Sequence, residues 1–164
     1  MTRAAPEHAN TEMSEQDAAR LIDEVSPSPS LAARVHSAAA EQPTASLTTI
    51  ARDTVMDLDE AALLDALSGV DPFRRRTDVT RAENRGLARL EELAHEHEER
   101  FGVRLVLARE GRDDDALAEE AVQRLALADR AQALAAAQQS LADILAWRIR
   151  AALAPAAPET PSDG

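Results

Sequence analysis

The chain has 164 residues, 45% of them hydrophobic, a net charge of −12 and no cysteine. That length suits one domain, and the absence of cysteine excludes disulfides, thiolate catalysis and Cys-ligated zinc. The acidic balance argues against nucleic-acid and anionic-membrane partners, which need a positive field. The N-terminal MTRAAPEHANTEMS lacks an apolar core, so no signal peptide is expected, and no run is long and apolar enough to span a membrane. A cytoplasmic location is the expectation. The apolar fraction includes 36 alanines, and the only aromatics are Phe73, Phe101 and Trp147. A Leu/Val/Ile/Ala core favours closely packed helices, so the expected fold class is all-α: a single-domain bundle of six or seven helices with one short extended connector.

Residues 1–13 are polar and unpatterned and read as a disordered arm, 14–153 as the helical domain, and 154–164, rich in Pro and acid, as a disordered tail. Ser14 can cap a first helix carrying Leu21, Ile22 and Val25. After SPSPS, Ser30 is expected to cap a second with Leu31 and Val35 inward, ended by Pro43. Ser46 opens a third with Ile50, Ala51 and Val55. Asp57, with Glu60 three residues on, reads as a capping-box variant opening a fourth, which Gly69 closes. A loop, GVDPFRRRTD, leads to Thr77 or Asp78 and a long charged helix to about Arg100, with Val79, Leu87, Leu90 and Leu93 inward. FGVRLVLAREGR alternates apolar and polar residues but has no sheet to join, so it reads as an extended connector packed on helices. Asp113 caps a sixth helix with Leu117, Ala121, Val122 and Leu125. A last helix runs from about Asp129 to Leu153.

Candidate chemistry is sparse. His8 lies in the arm and His36 mid-helix. His95 and His97 are about 200° apart around one helix, so they diverge and read as two solvated surface histidines rather than a metal pair. No metal site is expected. Arg74, Arg75 and Arg76, followed by Arg81 and Arg85, form the one basic island. They read either as ion-pair partners for surplus carboxylates or as an anion site where a loop meets a helix N-terminus. Asp71 and Glu83 flank the island and could do acid–base work if burial raised one pKa.

The stretch HEERFGVRLVLAREGR, followed by Arg124–Leu125 and by Ile144 and Arg148–Ile149, resembles the second half of the OHCU decarboxylases, the 2-oxo-4-hydroxy-4-carboxy-5-ureidoimidazoline decarboxylase family of urate breakdown. Members carry Asn-x-x-Tyr-Glu-x-Arg-Phe-Gly, an apolar run and a Gly-Arg pair. This chain keeps Glu98, Arg100, Phe101, Gly102, the apolar Val103, Leu105, Val106 and Leu107, and Gly111–Arg112. Ala94 stands at the Asn and His97 at the Tyr. Upstream, the family's His-Pro pair corresponds to Asp71–Pro72, and its Ser-x-x-Glu-Gln to Thr80 through Glu83–Asn84. The resemblance covers roughly residues 14–153.

The resemblance implies an all-helical bundle that converts OHCU to (S)-allantoin with loss of CO2, without metal or organic cofactor. It implies Asp71 in the acid–base position and Glu83 orienting the substrate. Pro72, Thr80, Asn84 and the run Leu105, Val106, Leu107, Ala108 and Arg109 would line the pocket, the last through backbone. The expected ligand is a small anionic molecule, OHCU or a related carboxylated heterocycle. Asp71 departs from the family's histidine: a carboxylate cannot both donate and accept at neutral pH as an imidazole does. Two alternatives therefore stand beside the enzyme: a catalytically silent relative serving as a binding module, for instance as a homodimer, and an acidic helical adaptor with accidental similarity.

Overall fold

The structure is a computed structural model and describes residues 13–70 and 81–154, with side chains throughout those ranges except at 81–84. The disordered arm and tail expected from the sequence lie outside the described residues, Met13 and Ala154 apart. Among the described residues seven helices run in order: α1 Glu15–Val25, α2 Pro29–Glu41, α3 Leu47–Met56, α4 Glu60–Ser68, α5 Arg81–Phe101, α6 Asp114–Leu125 and α7 Arg130–Leu153. The described residues contain no strand, so the fold is all-α. None of these helices is long and apolar enough to cross a membrane.

The helix starts are written in short polar side chains. Ser14, Ser28, Ser46, Asp59, Asp113 and Asp129 each accept a backbone N–H three residues on. Such caps are each worth about 1 kcal/mol. Two starts differ from expectation. Ser28, not Ser30, caps α2, because Pro29 is the first helical residue, where its fixed φ suits the helix and its missing N–H costs nothing. Asp59, not Asp57, caps α4. Asp57 instead closes α3, its N–H bonding Asp53 and Val55 carbonyls.

Helices α1 to α4 and α7 share the larger core, with α3 lying against α7 along much of its length. Alanine makes that approach close: Ala51, Ala137 and Ala142 are buried between Val55, Leu141 and Leu145. Polar ties fix the register. The Gln138 side-chain amide donates to the carbonyls of Val55 and Met56, each at 2.9 Å, which fastens the C-terminal end of α3 to α7. Arg52 pairs with Asp143 at 2.6 Å.

A smaller core joins α5 and α6 through Leu90, Leu93, Leu117, Ala118 and Ala121. Val122 was expected inward but is exposed, since the buried stripe of α6 runs through Leu117, Ala118 and Ala121. The segment from Gly102 to Gly111 is the expected extended connector. Gly102 and Gly111, at φ +64° and +69°, supply the left-handed turns at its two ends. Between them Val103 and Val106 enter the larger core, while Leu105 and Leu107 enter the smaller. The connector is thus the seam of the molecule.

Candidate functional site

The seam is tied near its start to the end of α4 and at its far end to the start of α6. Near its start, one guanidinium nitrogen of Arg104 donates to the carbonyls of Ser68 and Val70, both at 3.0 Å. Val70 is the residue before Asp71. At its far end, Arg109 pairs with Asp114 at 2.8 Å. Asp114 begins α6 against α5 at Gly86, so closely that a Cβ added to Gly86 would lie 2.8 Å from the Asp114 Cβ. Glu83 and Asn84 precede Gly86 by less than one helical turn. Asp71, Pro72 and Thr80 lie outside the described residues, as do Arg74, Arg75, Arg76 and the side chains of Glu83 and Asn84.

Within the run, Leu105, Val106 and Leu107 are buried in the two cores. These side chains serve packing, and what they can offer a ligand is main chain. Ala108 is half-buried and Arg109 exposed. The main chain here is further fixed where the carbonyl of Ala108 accepts from Arg112 at 3.2 Å.

His97 is not a surface residue. It is 2% exposed, tilted against Phe101 with ring centroids 4.9 Å apart, and its Nδ1 lies 2.9 Å from the Val103 carbonyl. A carbonyl only accepts, so Nδ1 carries the proton. Burial pushes the His97 pKa down. The Val103 carbonyl opposes this, nearby Arg124 reinforces it and Glu98 opposes it, and the net shift is downward. The buried ring is neutral at pH 7 and anchors the connector just past Gly102. His95, by contrast, is exposed and pairs with Glu99 one turn on.

Behind the α5–α6 core, Glu120 bridges Arg112 and Arg124. Arg124 also donates to the buried Ser140 hydroxyl on α7 at 2.9 Å. Burial alone would raise the Glu120 pKa, but the two guanidinium bonds outweigh it and hold the carboxyl below its ordinary value. Of the family-like residues late in the chain, Arg124 belongs to this network, and Arg148 reaches the Val25 carbonyl at 3.1 Å.

Sequence reasoning missed three of these features. The burial of His97 had a signal, since Leu90, Leu93 and His97 continue one stripe at helical spacing. The Glu120 bridge had a weak one, with Arg124 one turn beyond Glu120 on α6. The Arg104 tie spans more than thirty residues and left none.

No curated protein matches the chain significantly. The sequence profile described as OHCU decarboxylase matches residues 11–150. That span takes in all seven helices but the last residues of α7, together with the connector and both of its ties. This chain belongs to the OHCU decarboxylase family.

Proposed function

We propose that the chain is a decarboxylase acting on OHCU, or on a related carboxylated heterocycle, with release of CO2 and stereospecific protonation. Family membership over residues 11–150 carries this reading. What the connector offers in support is its two attachments: Arg104 bonds the carbonyl of Val70, the residue before Asp71, and Arg109 pairs with Asp114, which lies against α5 at Gly86, three residues after Glu83. Cleavage of the carbon–carbon bond releases CO2 and leaves an electron pair on the ring. A proton then returned to one face sets the configuration of the product. On this reading Asp71 moves that proton and Glu83 orients the ring. Arg74, Arg75 and Arg76 supply positive charge for the carboxylate, which two acids alone would repel. Pro72, Thr80, Asn84 and the main chain from Leu105 to Arg109 complete the pocket. No metal or organic cofactor is invoked.

Variants test this residue by residue. Loss of an acid–base group typically lowers a rate by about 10²–10⁴-fold. Asp71→Asn and Glu83→Gln are expected to lower kcat/KM on freshly generated OHCU by that order. Asp71→His, which returns an imidazole, is expected to keep or raise it. Wild-type rates in Asp71→Asn and Glu83→Gln would overturn the assignment of roles. A silent binding module would show no turnover in the wild type, and in Asp71→His only if the scaffold had been retained.

A further inference from the structure

We propose that α5, the connector and α6 open as one cooperative unit while the bundle of α1 to α4 and α7 stays folded, with His97 as the acid-sensitive latch between the two. Two observations set the unit apart. Helices α5 and α6 pack on each other and scarcely on any other helix. Their apolar contacts, with Leu105 and Leu107 of the connector, close into a small core of their own around Leu90 and Leu117, and none of these residues belongs to the larger core. Helices of this length depend on tertiary packing, so a unit with few buried apolar contacts opens at lower cost than the larger one. Hydrogen bonds to the bundle run from Arg104 to the Ser68 and Val70 carbonyls and from Arg124 to the Ser140 hydroxyl, and none of these is fully buried.

His97 stands where the unit meets the bundle. Its ring lies on Phe101 and its Nδ1–H holds the Val103 carbonyl, and the side chains of Phe101 and Val103 both belong to the larger core. The ring is carried by α5 and is 2% exposed. Opening the unit therefore brings it into water. The charges that bear on the closed ring are Arg124 from α6, which opposes a second proton, and Glu98 on α5, which favours one. Arg100 lies over the neighbouring Phe101 ring at 5.1 Å. Burial and Arg124 prevail, so the closed ring stays neutral where a solvated histidine would take up a proton. Opening then binds a proton below pH 6.5, and acid favours the open form.

The test is amide hydrogen exchange of the full chain under native conditions, corrected for intrinsic exchange and repeated in low urea. At pH 7.5 the amides of Leu90, Leu93, Leu117 and Ala121 are expected to share one protection factor at least tenfold (~10-fold) below that of Val55, Leu141 and Leu145. They are also expected to depend less steeply on urea, because less surface is exposed. Equal protection and equal urea slopes in the two groups overturn the separate unit. Between pH 7.5 and pH 5.5 the unit's protection is expected to fall about tenfold in the wild type. His97→Gln is expected to remove most of that fall, while His95→Gln, which changes the exposed histidine of the same helix, keeps it. Flat wild-type protection across this range overturns the latch whether or not His97→Gln folds, and so does an undiminished fall in His97→Gln.

Discussion

The Nδ1–H of His97 donates to the Val103 carbonyl across 2.9 Å, joining the end of α5 to the first residue past the Gly102 turn. A second proton on the ring would place a charge in a site that is 2% exposed and near Arg124. The folded state therefore binds that proton more weakly than the unfolded chain does. The sign follows: His97 costs no stability above its ordinary pKa of 6.5, and stability falls as pH drops below 6.5. Thermal unfolding of the wild type is expected to shift downward between pH 7.5 and pH 5.5. His97→Gln, less stable at pH 7.5, is expected to lose much of that dependence. Parallel pH profiles would contradict the buried neutral ring.

At lower pH a second group takes over. Glu120 is held below its ordinary value of 4.5 by Arg112 and Arg124 despite its burial. The stability it contributes is present above pH 4.5 and is lost as pH falls through its folded value. Glu120→Ala leaves Arg124, only 17% exposed, with the Ser140 hydroxyl in place of a carboxylate. An expected loss of about 2 kcal/mol, read from urea unfolding at pH 7, should shrink toward zero well below pH 4. An undiminished loss in acid would contradict the ion-pair origin.

Among the described residues, Gly69 and Gly86 are positions where an added methyl group would meet a neighbouring atom closer than 3.0 Å. Gly69→Ala would drive a Cβ into the Pro27 carbonyl oxygen at 1.9 Å, and neither backbone can yield cheaply. A loss of about 3 kcal/mol is expected in denaturant unfolding. Gly86→Ala meets the Asp114 Cβ at 2.8 Å. Alanine favours a helix by about 1 kcal/mol over glycine. The steric term is expected to exceed that gain, giving a net loss of about 1 kcal/mol. A stabilised Gly86→Ala variant would show that α5 and α6 can separate freely.

Much of the fold was legible because local chemistry and periodicity agreed. Ser14, Ser46, Asp113 and Asp129 sit directly before apolar-periodic runs and cap the helices expected of them. Where two caps competed, spacing alone chose wrongly: Pro29 decided for Ser28, and the fourth helix began at Asp59 rather than Asp57. The connector was readable because its alternation had no second strand to pair with. His97 was misread because Glu96, Glu98 and Glu99 surround it in sequence, although its spacing from Leu90 and Leu93 placed it inward.

The candidate site was legible only in part, for a physical reason. The Arg-Phe-Gly block and Gly111–Arg112 are local in sequence and pointed to the connector. The ties that give the connector its place join residues distant in sequence: Arg104 with Val70, and Asp114 with Gly86. No local pattern encodes such pairs. Glu83 is near Gly86 along one helix, but what lets Asp114 at the start of α6 lie so close there is the missing side chain of Gly86, a signal that a single sequence does not separate from an ordinary helical glycine.

The central claim is that this chain turns over OHCU with control of the product's configuration. Freshly generated OHCU is incubated with the full chain at pH 7.5, and the handedness of the allantoin formed is followed by circular dichroism. The account predicts (S)-allantoin appearing faster than OHCU decays unaided. Racemic allantoin formed at the unaided rate would contradict it.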